Sequence, residues 1–259
     1  MAGFVSVDGV ALWVADEGAG DPPMLFVHGS ACDSRDWATQ LGYFKQTHRV
    51  LAADLRGHGR SGVPASGYGA HQLAGDLAAL LDRLGCPPVV AVGHSLGGLV
   101  VSALAVRWPR LVRALVCVDP AYLVPDETPQ VLGAMAAEHG GDLRRLNAAI
   151  LRRVENRETS GQAKRMRRQR LTEMPEQGFK DLLGNAHWAT RSKSEELVAG
   201  RACPVLSLHT TAGRADLETP LFADSRSRAV SWDGCGHWPH QERSAEFNQL
   251  VEDWLVTID

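Results

Sequence analysis

The decapeptide Val89-Val-Ala-Val-Gly-His-Ser-Leu-Gly-Gly98 sets a serine between two glycines, after an apolar strand and before a helix. A serine hydroxyl attacks a carbonyl only with a base beside it and donors for the oxyanion that forms. Gly93 and Gly97 leave the room that a sharp strand-to-helix turn needs around Ser95. The helix N-terminus beneath favours developing negative charge. Gly-x-Ser-x-Gly alone recurs by chance, and the strand before it and helix after it make it informative. The matching base is His237, in Asp233-Gly-Cys-Gly-His-Trp238, just after the apolar stretch 229–232. It would take the serine proton and return it to the leaving group. His240 is the fallback base, and His94, inside the turn, points away from the hydroxyl and reads as structural.

The surrounding elements fit that task. Residues 4–7 and 11–15 flank Asp8-Gly9 as a hairpin. Short apolar runs at 24–27, 49–53, 89–92 and 114–118 alternate with helical stripes, such as Leu73, Leu77, Leu80, Leu81 and Leu84. Buried strands alternating with helices predict an α/β domain with a mostly parallel central sheet and helices on both faces. The motifs fall at strand carboxyl ends, where such sheets place ligands. Residues 121–200 lose the strand signal and read as a helical cap or lid over a core of 1–120 and 201–259, where strands resume at 205–208 and 229–232.

Four motifs then stand in order: Phe26-Val-His-Gly-Ser30, Asp54-Leu-Arg-Gly-His-Gly-Arg-Ser61, Gly93-His-Ser-Leu-Gly-Gly98 and Gly234-Cys-Gly-His-Trp-Pro-His240. Together they resemble the successive signatures of the α/β-hydrolase superfamily, over about residues 1–120 and 201–259. The resemblance implies an oxyanion hole built from the backbone N–H groups of Ser30 and Leu96, with His28 buttressing its loop. It implies no cofactor and no metal. Asp54 to Ser61 reads as loop structure rather than chemistry. The acid partner of His237 has two candidates. The family habit, a Gly-x-x-Asp turn after the strand that follows the cap, points to Asp216 in Gly213-Arg-Ala-Asp216, but that turn comes late after its strand. Asp119, at the end of the strand beside the one bearing Ser95, is favoured over Asp216.

The expected reaction is hydrolysis of a small carboxylic ester or lactone through an acyl-enzyme. C–C bond, thioester or amide hydrolysis and cofactor-free perhydrolysis are alternatives on the same residues, and a weakly catalytic ligand receptor is the non-enzyme alternative. Trp188 either walls the substrate pocket or packs the cap. The chain has 259 residues, a net charge of -3 and a hydrophobic fraction of 44%. That balance argues against nucleic acid and membrane partners. No run approaches the roughly 20 apolar residues of a membrane span, and the N-terminus lacks a signal-like core, so a cytoplasmic protein is expected. The five scattered cysteines suggest small buried apolar residues rather than a disulfide framework. The basic run Arg144, Arg145, Arg152, Arg153, Arg157, Lys164, Arg165, Arg167, Arg168 and Arg170 is expected as a solvated cap face, with attraction for acidic substrates left open.

Overall fold

The computed structural model describes residues 2–155, 159 and 161–258. Strands β1 (Ala2–Val7) and β2 (Val10–Glu17) form the hairpin, joined at Asp8 and Gly9, both with positive φ. Then follow β3 (Met24–Val27), α1 (Ala38–Phe44), β4 (Val50–Ala53), α2 (Ala70–Arg83), β5 (Val89–His94), α3 (Leu96–Arg107) and β6 (Val112–Val118). A helical segment comes next: α4 (Thr128–Glu138), α5 (Leu143–Val154), α6 (Gly161–Glu173), α7 (Lys180–Ala189) and α8 (Arg191–Ala199). The chain ends with β7 (Val205–His209), α9 (Arg214–Glu218), β8 (Arg228–Ser231), α10 (Pro239–Glu242) and α11 (Ser244–Ile258).

The eight strands form one sheet in the order β1-β2-β4-β3-β5-β6-β7-β8. β2 runs antiparallel to both neighbours, and the pairs from β4 to β8 are parallel. From β3 the chain passes to β4 on one side and, later, to β5 on the other. That reversal opens a crevice at the carboxyl ends of β3 and β5. Along the central strands alternate residues enter different cores. Leu25, Val27 and Ala91 pack with Leu73, Leu77, Val100 and Leu104 of α2 and α3. Met24, Phe26, Val90 and Val92 pack with Phe44 of α1 and with Phe247, Val251 and Trp254 of α11. Burial on both faces explains the continuous apolar runs. Among the described residues, no helix is long and apolar enough to cross a membrane.

The helical segment meets the rest of the chain at an apolar seam of Leu151, Leu171, Met174 and Phe179 against Cys32 and Trp238. The basic run is not uniformly a solvated face. Arg145 and Arg168 are exposed, but Arg167 and Arg170 are buried. α6 turns these two toward the seam, where Arg170 bonds to Asp36 and stands 3.5 Å from Asp33. Arg157 lies outside the described residues. Of the five cysteines, all free thiols, Cys32 and Cys117 are buried while Cys86, Cys203 and Cys235 are only partly so. Removing one member of a buried ion pair strands the other charge away from water. Arg170→Met is therefore expected to destabilise the protein by about 3–5 kcal/mol in urea denaturation. A loss below about 1 kcal/mol would mean that this cation carries no more than a surface pair does.

Candidate active site

Ser95 follows β5 with φ 51° and ψ -115°, a conformation that non-glycine residues rarely adopt. Its backbone is held at both ends. The Ser95 N–H donates to the Val118 carbonyl at 3.0 Å, and its own carbonyl accepts from Gly98 at 3.0 Å and Ala121 at 2.9 Å. Crowding fixes the neighbours. A Cβ on Gly97 would stand 2.2 Å from the Val27 carbonyl oxygen, so only glycine lets α3 start this close to β3. Gly29 allows the loop after β3 to approach as well, since a Cβ there would be 3.2 Å from the Ser95 Cβ. Ser30 follows, and then Ala31 with φ 58°. Leu96 opens α3, so its N–H has no acceptor within the helix.

His237 lies in the loop between β8 and α10, and its Nδ1–H donates to Asp119 Oδ2 at 2.6 Å. Asp119 follows β6 with φ 39°. It also accepts from the Thr210 N–H at 3.0 Å and the Thr210 hydroxyl at 2.9 Å. Burial opposes charge on Asp119, but the bonds from His237 and Thr210 outweigh it and hold the carboxyl down at about 2. Asp216 sits exposed in the first turn of α9. Of the two carboxylates weighed from sequence, Asp119 is therefore the one hydrogen-bonded to His237. Sequence reasoning missed Thr210, which directly follows β7, the strand after the helical segment. It also missed the group beneath: Glu218 is buried between His209 at 2.7 Å and Arg201 at 2.8 Å. Burial works against the Glu218 charge, yet these partners pull its carboxyl down to about 2. They tie the end of β7, and so Thr210, in place.

The other histidines serve the frame. His94 is buried, and its Nε2–H donates to the His237 carbonyl at 2.7 Å. Desolvation pushes its imidazole well below the usual range, so it stays neutral. His240 is buried and stacked on Trp37 at 4.2 Å, outside the two cavities at Ser95. His28 accepts the Leu55 N–H at 3.0 Å, and its Nδ1–H donates to the Gly29 carbonyl. Asp54 accepts from Ser34 and Arg60, which makes the Asp54 to Ser61 stretch a scaffold for the loop after β3.

Two cavities meet at Ser95 and Ser30. One, of about 100 Å³, adds Cys32, Leu151, Arg167, His237 and Trp238. The other, of about 120 Å³, adds Leu96, Leu99, Val124, Leu132 and Asn185. Trp188 lines neither. It is 47% exposed, packs edge-on against His71 at 5.7 Å and borders a separate surface hollow with Lys193 and Glu196. α7 carries Asn185, Ala186 and Ala189 toward Ser95 and turns Trp188 away.

A family model described as "Alpha/beta hydrolase family" matches residues 24–250. The chain belongs to the alpha/beta hydrolase family. Among curated members of similar sequence is a bifunctional esterase/perhydrolase of Acinetobacter calcoaceticus, 41% identical over 110 residues, 41% of this chain and 40% of that protein. Another is the 2-(acetamidomethylene)succinate hydrolase of Mesorhizobium japonicum, 34% identical over 130 residues, 50% of this chain and 46% of that protein. The match thus spans less than half the length of each relative. The enol-lactonase from Burkholderia xenovorans shares the hydrolase fold, with a TM-score of 0.82 at 24% identity over 98% of this chain and 99% of that one. A thermophilic esterase from Thermogutta terrifontis superimposes with a TM-score of 0.83 at 24% identity, covering 100% of this chain and 99% of that one.

The carboxyl of Asp119 makes a proton-linked prediction. Its folded value is depressed, so its stabilising contribution is complete above its unfolded value of about 4 and fades as pH falls through about 2. The stability difference between the parent protein and Asp119→Asn is expected to shrink steadily from about pH 5 towards pH 2 in chemical denaturation. A difference independent of pH over that range would show that Asp119 is not held as a carboxylate by His237 and Thr210.

Proposed function

We propose that the protein is a serine hydrolase that cleaves a small carboxylic ester or lactone through an acyl-enzyme intermediate. The observation that carries this reading is the 2.6 Å bond from His237 Nδ1 to the charged Asp119, with His237 and Ser95 lining one cavity. Asp119 fixes the imidazole tautomer so that Nε2 is the basic nitrogen. Ser95 Oγ attacks the carbonyl carbon while His237 Nε2 accepts the hydroxyl proton. The oxyanion is held by the N–H groups of Ser30 and Leu96, the latter at the positive end of α3. Collapse breaks the bond to the alkoxide, which leaves with the proton from His237. Water, deprotonated by the same nitrogen, then attacks the acyl-serine; the bond to Ser95 Oγ breaks, Oγ takes that proton back from His237, and the acid is released. The names of the esterase and lactonase relatives support this choice of bond, and the paired cavities suit a substrate whose acyl and alcohol parts lie on either side of Ser95.

Treatment with a fluorophosphonate followed by intact-mass analysis tests the nucleophile. One adduct mapped to Ser95 and absent from Ser95→Ala is the expected result. No adduct, together with no turnover across an ester and lactone panel, would sink the enzyme reading and leave a ligand-binding fold. Asp119→Asn is expected to lower kcat by about 10⁴-fold, the loss seen when such an acid is removed. Full activity in that variant with loss in Asp216→Asn would reverse the assignment of the acid.

A further inference from the structure

Arg167 is a buried cation in an otherwise mostly apolar cavity wall, 3% exposed and shared with Ser95 and His237. Its guanidinium lies 3.6 Å from the centroid of the Trp238 ring, the residue next to His237. Nη2 donates to Gln241 Oε1 at 2.7 Å. Nε and Nη1 have no hydrogen-bond partner among the described residues. A desolvated cation with unmet donors is costly, and an anion that reaches them relieves that cost.

The nearby acids do not complete the match. Glu155 Oε1 stands 3.9 Å from Nη1, beyond hydrogen-bond range, and Glu155 is shared with Arg168 at 3.7 Å. Two guanidinium groups thus face one carboxylate. Glu242 accepts the Gly236 N–H at 2.6 Å. Stacking on Trp238 and the bond to Gln241 fix the plane of the Arg167 group, so little freedom is lost when it binds. Of the remaining lining, Ile150, Leu151, Val154 and Leu171 are apolar and suit a short carbon chain, while Asn147 and His94 add polar side chains.

We propose that Arg167 is a specificity residue that binds a carboxylate of the substrate, so that the preferred ester or lactone is a small anion whose acid group lies a short chain from the scissile carbonyl. This rests on the reading of Ser95 as the nucleophile. The anion enters beside His237 rather than from the Leu96 side, because Arg167 lines only the first of the two cavities.

Steady-state kinetics with two matched esters tests the assignment: neutral 4-nitrophenyl butyrate and anionic mono-4-nitrophenyl succinate. The parent protein is expected to favour the anionic ester in kcat/KM. In Arg167→Met the anionic-to-neutral ratio is expected to fall by about 30-fold or more, as when one partner of a desolvated charge pair is lost. Arg167→Lys, which keeps the charge and loses the planar donors, is expected to fall less. A parent preference for butyrate, or an unchanged ratio in Arg167→Met, overturns the proposal. Calorimetric titration of the parent protein and of Arg167→Met with succinate and with neutral butyramide separates the two readings and needs no turnover. Inert esters with selective succinate binding that is lost in Arg167→Met would remove the Ser95 reading and keep Arg167 as an anion site. Absence of any preference for succinate over butyramide would remove the anion site, whatever the esters do.

Discussion

Backbone crowding where β5 passes into α3 governs the geometry around it. Gly97 lies so close to the Val27 carbonyl that only glycine fits there, and Ser95 makes the turn into α3 with a positive φ. Such strain persists only where the surroundings over-determine it. Here the restraints are the bonds from Ser95 to Val118 and Ala121 and the buried cores on both sheet faces. Two further non-glycine residues with positive φ, Ala31 and Asp119, follow the strands on either side of β5. Three neighbouring strand ends therefore share one conformational cost, and each delivers part of the proposed machinery.

Around that frame, charge is kept in few places. His94 and His240 are desolvated and neutral, so they contribute shape and stacking rather than competing positive charge beside His237. Asp119 is the ionised partner on the imidazole, and Thr210 donates two further hydrogen bonds to it. Beneath it, Glu218 with Arg201 and His209 forms a separate ionic group in which the carboxylate meets both a cation and an imidazole, as a buried charge requires.

The sheet was legible because its strands are buried on both faces and bounded by glycine, proline and helical stripes. Ser95 and His237 stood out as candidates because glycines sit at close offsets around both. The partner of His237 was harder to read, because a carboxylate meets an imidazole through space, and both Asp119 and Asp216 end in plausible turns. Thr210 carried no local signal, since its role exists only because β7 lies beside β6. The basic segment misled in part. Ten cations in a helical stretch look like a wet surface, yet the acids that draw Arg170 inward, Asp33 and Asp36, are more than 130 residues away in sequence. Trp188 was equally opaque, since one turn of α7 decides which way its ring faces.

The two cavities that share Ser95 and Ser30 draw their walls from different helices. α5 and α6 supply Leu151, Arg167 and Leu171 to one, while α4 and α7 supply Leu132, Asn185 and Ala186 to the other. Each pair of helices contributes its own lining side chains, and the two pairs touch where Leu132 of α4 and Ile150 of α5 pack in one cluster. On the proposed reading, most side chains that meet either end of a substrate can change separately, and the chemistry between them can remain constant while descendants of this chain diverge in what they accept.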